Sequence, residues 1–472
     1  MQDIVIIGAG IIGSFLAYDL THYNLKVTLV DKHNDIANET TMANSAIIHT
    51  GYDPKDGTLK AKLNVEGAKM YPSICAHLHA DYQKIGAYIV ASDASQVETL
   101  NELKQRADKR HISTQMLDQM QIRMEEPNIS DSVICALSVP DTAIIYPWQV
   151  AISCVEEAVL NGLDLRLDFN VSAIEANEDY FVVKSNDQQI KTKLVINAAG
   201  CGSEYVASLV GKPEFTITPK KGQYYVLSKQ AKEFVNHIIY PVPTSLGKGV
   251  LAVPTTHGNI LLGPNNEVTS QDDVSTTSSG YAYVQSQISQ IVKNIPYHEV
   301  IRSYSGLRPS GNNGDFYIKA DVNYPNMIHV ACIDSPGLAS APAISRYVID
   351  TLVSQRMDLI TKDTHVNRCV PVVMAKLSMD EKNAKVKENP LYAKIVCKCE
   401  NISYQEIVDA IHSPVPATTI KAIKKRVRPG MGKCQGGFCE VEVAKILSNE
   451  LNIPLSDVKY DCDDSCLGKE AK

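Results

Sequence analysis

The first 31 residues leave this chain little choice of fold. Asp3-Ile-Val-Ile-Ile7 is a short β-branched apolar run, the pattern of a strand buried on both faces. Gly8-Ala-Gly10-Ile-Ile12-Gly13 follows without a break, then Ser14 to Thr21 at helical spacing, then a second run, Lys26-Val-Thr-Leu-Val30, ending on Asp31. That is a complete βαβ unit. Gly8 permits the tight turn, Gly10 lets the backbone approach a pyrophosphate, and Gly13 lets the helix pack closely, while the helix N-terminus offers unpaired N–H groups to phosphate. Asp31 is placed to accept the ribose hydroxyls. Alone, G-x-G-x-x-G is weak; between two such strands and before an acid it specifies a dinucleotide site. The apolar stretch from Ile4 to Ala17 lacks a basic segment before it and is interrupted by glycines, so it reads as folded structure and not as a secretory signal.

A chain of 472 residues is too long for one ordinary domain and has ample length for large cores. With 44% hydrophobic and 21% charged residues it is an ordinary globular composition. A net charge of -7 supplies no global basic field, which argues against nucleic acid as a partner and for small-molecule chemistry. No apolar run reaches the roughly 18 residues of a spanning helix, so any membrane association is expected to be peripheral. Cysteines are scattered as far as Cys369 and then crowd into the tail, a pattern that fits reduced cytoplasmic thiols followed by a metal centre.

Downstream, Trp148 to Leu160 reads as an amphipathic helix. Strand-like runs follow at 163–167, 180–184 and 194–200, the last returning to the sheet beneath the nucleotide. From about 214 to 308 the pattern changes to alternating strands, Gly222-Gln-Tyr-Tyr-Val-Leu227, Gly249-Val-Leu-Ala-Val-Pro254 and Asn259-Ile-Leu-Leu-Gly263, which predict a mostly antiparallel sheet. Met327 to Cys332 is again a buried strand, and Pro336-Gly337 ends it and starts a helix whose positive end faces the ligand crevice. The fold class is therefore α/β: a Rossmann-type nucleotide domain (about 1–80, 140–210 and 325–370) with an antiparallel substrate lobe (about 81–139 and 211–324). A charged stretch at 371–393 is the expected linker. A small domain at 394–450 and a tail at 451–472 complete the chain.

Taken together, IVIIGAGIIG, NSAIIHTG (44–51), VINAAG (195–200), KKGQYYVL (220–227), YPVP (240–243), GNILLGPN (258–265), YSGLRP (304–309) and SPGLASAPAIS (335–345) resemble the FAD-dependent D-amino-acid oxidase superfamily. Within it they resemble the branch of glycerol-3-phosphate dehydrogenases and oxidases and L-2-hydroxyglutarate oxidases. The resemblance implies FAD in place of a dissociable nicotinamide, held by Gly8, Gly10, Ile12, Gly13, Asp31, Ser45, Val171, Ala199, Gly200, Pro336, Gly337 and Leu338. Ala46 stands where the family often has glycine.

The tail carries Cys397-Lys-Cys399 and, after a helical interval, Cys434-Gln-Gly-Gly-Phe-Cys439. Four thiolates suit zinc or a 2Fe-2S cluster, and the tight C-x-C spacing favours the cluster. The pattern resembles the small domain named after bacterioferritin-associated ferredoxin, which implies a one-electron relay. The basic run Lys421, Lys424, Lys425, Arg426 and Arg428 is expected first as a solvated helix face, with steering of an acidic redox partner as its functional reading. Cys462 and Cys466 match no pattern and are expected to be free thiols.

The resemblance places His49 beside the flavin, where a neutral imidazole could take a hydroxyl proton as hydride leaves. Arg308 is the expected anion anchor, since a guanidinium grips phosphate or carboxylate through two bonds. Lys248 resembles a phosphate-reaching position, and Ser335 could add a hydroxyl at the helix start. The resemblance implies oxidation of glycerol 3-phosphate to dihydroxyacetone phosphate. L-2-hydroxyglutarate oxidation is the alternative, with amine or amino-acid oxidation and a non-catalytic electron-transfer subunit behind it. Beyond the small anionic substrate, a redox protein or a quinone reductase subunit is the implied partner.

Overall fold

A computed structural model describes residues 1–243 and 249–468. Lys248 therefore lies outside the described residues. Five parallel strands form the centre of the first sheet, in the order Asp164–Arg166, Val27–Val30, Gln2–Ile7, Gln189–Asn197 and Met327–Ala331. The apolar runs Ile4–Ile7 and Leu194–Ile196 follow from burial on both faces: Ile4, Val5, Ile6, Leu29, Val195 and Ile328 are all fully buried. The helix Ile11–Leu20 packs on one face together with Pro147–Leu160 and Gly337–Val348. The strand Tyr317–Ala320, grouped by sequence with the antiparallel lobe, instead pairs with Met327–Ala331 and extends the nucleotide sheet.

Among the described residues the second sheet has nine strands, antiparallel except where Ile238–Pro241 runs parallel to Ala87–Ala91. Its longest members, Ile217–Leu227 and Val300–Gly311, pair through eleven positions from Ile217↔Gly311 to Leu227↔Val300 and form a roof over the carboxyl ends of the parallel strands. Two glycines meet in this ladder, Gly222 opposite Gly306. A side chain at Gly306 would place its Cβ 1.9 Å from the Ala43 carbonyl oxygen, so this glycine is what lets the roof close onto the loop before His49.

The stretch at 379–388 is an exposed helix, begun by a Ser378/Glu381 capping box. Beyond it, Tyr404–Ile411, Ile420–Val427 and Glu440–Leu451 pack around their own core of Ile407, Ile423, Val443 and Leu447. The basic run does not form a solvated face. Lys424 and Lys425 are buried, and Lys425 and Arg426 both reach Asp35 of the nucleotide domain, at 2.7 and 3.0 Å. Arg428 bonds Glu400 and the Tyr146 hydroxyl, Lys229 of the lobe also reaches Glu400, and Lys421 pairs with Asp461. Steering of an outside partner by these cations is corrected accordingly: Lys425, Arg426 and Arg428 hold the small domain against the nucleotide domain, and Lys229 ties it to the lobe. The two cations keep the Asp35 carboxyl below the usual range against the opposing effect of burial. Among the described residues no helix is long and apolar enough to cross a membrane.

Candidate flavin, substrate and cluster sites

A cavity of about 950 Å³ opens where the parallel strands end, beneath the roof. Its floor is the glycine loop. Gly8 has φ +105°, and a Cβ there would lie 2.5 Å from the Ala198 carbonyl oxygen. Gly13 does not reach the cavity; its missing side chain makes room for the Gly8 carbonyl, which a Cβ would approach to 1.9 Å. Gly10 differs from both. A Cβ on it would meet only the Thr41 hydroxyl, at 3.3 Å, so what it keeps clear is the cavity itself.

The helix that follows has no side-chain cap at Gly10, and the Ile11 N–H is taken by Thr41 Oγ1 at 2.9 Å. The Asp31 carboxylate borders the cavity but accepts the Ala9 N–H at 2.7 Å and the His33 N–H at 2.9 Å. Burial outweighs these bonds and raises its pKa. Ile12, Ser45, Val171, Ala199, Gly200, Pro336, Gly337 and Leu338 all line the same space. Ala46 adopts φ +61°, the left-handed region that glycine enters without strain, which accounts for the family's glycine there.

The open space over Gly10, the uncapped helix end and the flanking acid fit a dinucleotide. Gly10→Val is expected to abolish FAD retention while leaving the chain folded. Measuring bound flavin per protein checks this, and a full complement of FAD on the variant would remove the loop from the site.

The short strand Ile47–Ile48 pairs with Ala143–Ile145 and delivers His49 to the cavity wall. The Tyr240 hydroxyl lies 3.2 Å from His49 Nδ1, and Asn64 donates to the His49 carbonyl at 2.6 Å. Burial pushes the Tyr240 phenol well above its ordinary range, so it contacts the imidazole as a neutral hydroxyl.

On the roof, strand alternation sorts the side chains. Lys221, Gln223 and Tyr225 point away from the cavity, and Lys221 pairs with Asp273 at 2.7 Å. Lys220 and Tyr224 line the cavity, with Arg308 directly across the ladder from Lys220. The Arg308 guanidinium lies over Gly222, where a Cβ would come within 2.7 Å of its Nη2, and bonds Asn266 at 3.3 Å. Among the described residues no carboxylate pairs with Lys220 or Arg308. Tyr224 stacks on Tyr304 with ring centroids 4.7 Å apart and bonds Ser45 at 3.0 Å. Ser335 sits at the mouth of the helix Gly337–Val348 on the cavity wall.

Lys220, Tyr240 and Thr41 are the residues that sequence reasoning missed. For Lys220 a signal was present: in a strand, adjacent lysines point to opposite faces, so one of Lys220 and Lys221 had to face the ligand side.

In the small domain the thiols gather as two pairs. Cys399 and Cys434 are 3.8 Å apart near the surface, while Cys439 lies against Cys397 below them, both buried. Among the described residues no three ligand-type side chains converge on one point as a single metal ion requires. Two thiol pairs suit two irons. Gly432 is needed because a Cβ there would lie 2.3 Å from the Cys399 Cβ. Burial opposes ionisation of Cys434, yet the N–H of Gly436, the Cys399 thiol and the N–H groups of Phe438 and Gly437 together hold its pKa below the ordinary thiol value. Among the described residues, Cys462 and Cys466 form no disulfide.

Comparison with known proteins agrees with this geometry. Residues 3–351 match the family described as FAD dependent oxidoreductase. The chain belongs to that family. Residues 395–449 match the BFD-like [2Fe-2S] binding domain. Among curated relatives, a glycerol 3-phosphate dehydrogenase of Caloramator mitchellensis is 40% identical, over 98% of this chain and 98% of that protein. A glycerol 3-phosphate oxidase of Mycoplasma genitalium is 34% identical over 74% of this chain and 94% of its own. The dithionite-reduced L-alpha-glycerophosphate oxidase of Mycoplasma pneumoniae, solved with FAD bound, superposes with a TM-score of 0.74 at 31% identity, covering 78% of this chain and 98% of that one. As a member of this family with a BFD-like domain, the chain uses FAD and a 2Fe-2S cluster.

Proposed function

We propose that this protein is a cytoplasmic glycerol-3-phosphate dehydrogenase that oxidises the secondary hydroxyl of its substrate to the ketone of dihydroxyacetone phosphate and sends the electrons out through its 2Fe-2S domain. The observation that carries the reading is the cross-strand pair Lys220 and Arg308. A phosphate monoester has close to two negative charges at neutral pH, and two cations that pair with no carboxylate among the described residues match it better than they match a single carboxylate.

Bound FAD supplies the hydride acceptor and the cluster a one-electron carrier. The chain's own residues do the rest. Arg308 and Lys220 anchor the phosphate, Lys248 adds a third cation by family resemblance, and the roof over the cavity limits water. His49 takes the hydroxyl proton as the C2 hydrogen leaves with its electron pair, and Tyr240 fixes the ring through Nδ1. Ser335 adds a hydroxyl at the cavity mouth. The acceptor of the electrons is a redox protein or a quinone-reducing subunit docking at the cluster.

Anaerobic addition of glycerol 3-phosphate should bleach the bound flavin, and L-2-hydroxyglutarate should do so far more slowly. Faster bleaching by the hydroxy acid would transfer the assignment to the 2-hydroxy acid dehydrogenases. In the same assay Lys220→Met should raise the KM for glycerol 3-phosphate by about 10- to 100-fold, the loss of one charge-assisted contact. An unchanged KM would take Lys220 out of the anion site.

A further inference from the structure

The loop at 35–41 links the glycine loop to the roof. The Ala37 N–H donates to the Ala9 carbonyl at 2.9 Å, Thr41 Oγ1 accepts from the Ile11 N–H, and the Thr40 hydroxyl donates to the carbonyl of Leu307 at 2.8 Å, next to Arg308. Asn38 to Thr41 line the cavity. From behind, the same loop is gripped by one side chain of the small domain. Lys425, only 2% exposed, donates to the Ile36 carbonyl at 2.5 Å and to Asn38 Oδ1 at 2.7 Å, and forms an ion pair with Asp35 at 2.7 Å. All three ammonium hydrogens are thus directed at the loop. The lysine is itself fixed, because Trp148 of the nucleotide domain donates its indole N–H to the Lys425 carbonyl at 3.0 Å.

Arg426 also binds Asp35, but its remaining bonds go to Ala422 and Val415 within its own domain. It contributes to docking without touching a residue that lines the cavity.

We infer that Lys425 is a positioning residue for the flavin site: the docked 2Fe-2S domain latches the loop at 35–41, and FAD affinity therefore depends on a side chain of the electron-relay domain. This rests on the reading of the cavity as the FAD site, not on the identity of the substrate. A loop shared by both contacts couples them in both directions, so bound FAD must also tighten the docking of the helix Ile420–Val427.

The full-length protein, stripped of flavin and titrated with FAD, tests this. Lys425→Met keeps the length of the side chain and leaves Asp35 paired with Arg426, so the carboxylate is not stranded. It should weaken FAD binding by about tenfold or more, within the usual range of coupling between sites, while iron content stays at two per chain. Arg426→Met, which loosens docking alone, should keep FAD affinity within about threefold. Wild-type affinity in Lys425→Met, or an equal loss in Arg426→Met, would overturn the latch. If the lysine variant does not fold, hydrogen exchange on the wild type decides: amides of 420–427 should exchange more slowly with FAD bound, and no difference would refute the coupling. Failure of the wild-type protein to take up FAD at all would instead refute the reading of the cavity.

Discussion

Arg308→Ala should lower kcat/KM for glycerol 3-phosphate by on the order of 30- to 5,000-fold, the equivalent of about 2–5 kcal/mol for truncating one member of a desolvated charge pair. The guanidinium occupies the space that Gly222 leaves open and has no competing carboxylate among the described residues, so its binding capacity is directed at the ligand. Arg308→Lys should recover only part of the loss, because an ammonium keeps the charge but not the two-pronged geometry. Stopped-flow flavin bleaching across substrate concentrations measures both variants. A change of less than threefold for the alanine variant would eliminate Arg308 as the anchor.

A second large effect is expected at His49. His49→Ala should slow flavin reduction by about 10²- to 10⁴-fold at saturating substrate, the ordinary contribution of a positioned general base, while bound FAD and substrate affinity stay near wild type. Tyr240→Phe should produce a smaller loss in the same step, because it removes the contact at Nδ1 and leaves the imidazole. If the alanine variant instead loses affinity with its limiting reduction rate intact, His49 binds substrate and some other group takes the proton.

Much of this architecture was legible because local and global preferences agree. The buried, mostly apolar runs at Ile4–Ile7, Val27–Val30 and Met327–Ala331 are what parallel strands with both faces covered require, and all three lie in one sheet. The roof was legible from its alternation, although nothing in one dimension pairs Gly222 with Gly306 across 83 intervening residues. The strand Tyr317–Ala320 was misplaced because its pattern fits either sheet; only its partner decides. The basic run was misread for a different reason. Clustered cations on an amphipathic helix look the same in one dimension whether they meet water or meet Asp35 and Glu400, which are distant in the sequence. Lys220 was overlooked because two adjacent lysines resemble an ordinary charged strand edge until the opposite strand puts an arginine beside one of them.

The buried cations also bear on how electrons travel. A relay domain on a loose leash would search for the flavin by diffusion, and its transfer rate would fall as the solvent thickened. Here four basic side chains of the small domain are occupied in fixed bonds, three of them to Asp35 and Glu400, so the flavin-to-cluster step would be a jump across a set gap. Its rate should be indifferent to viscosity, to dilution and, because the charges are shielded from ions, largely to salt. Of the electron-transfer steps, only one leaving by the outward Cys399 and Cys434 side, past Phe438, which is 90% exposed, would involve an encounter between molecules. Traffic through the enzyme is therefore divided into an internal leg that the solvent does not govern and an external leg that it does.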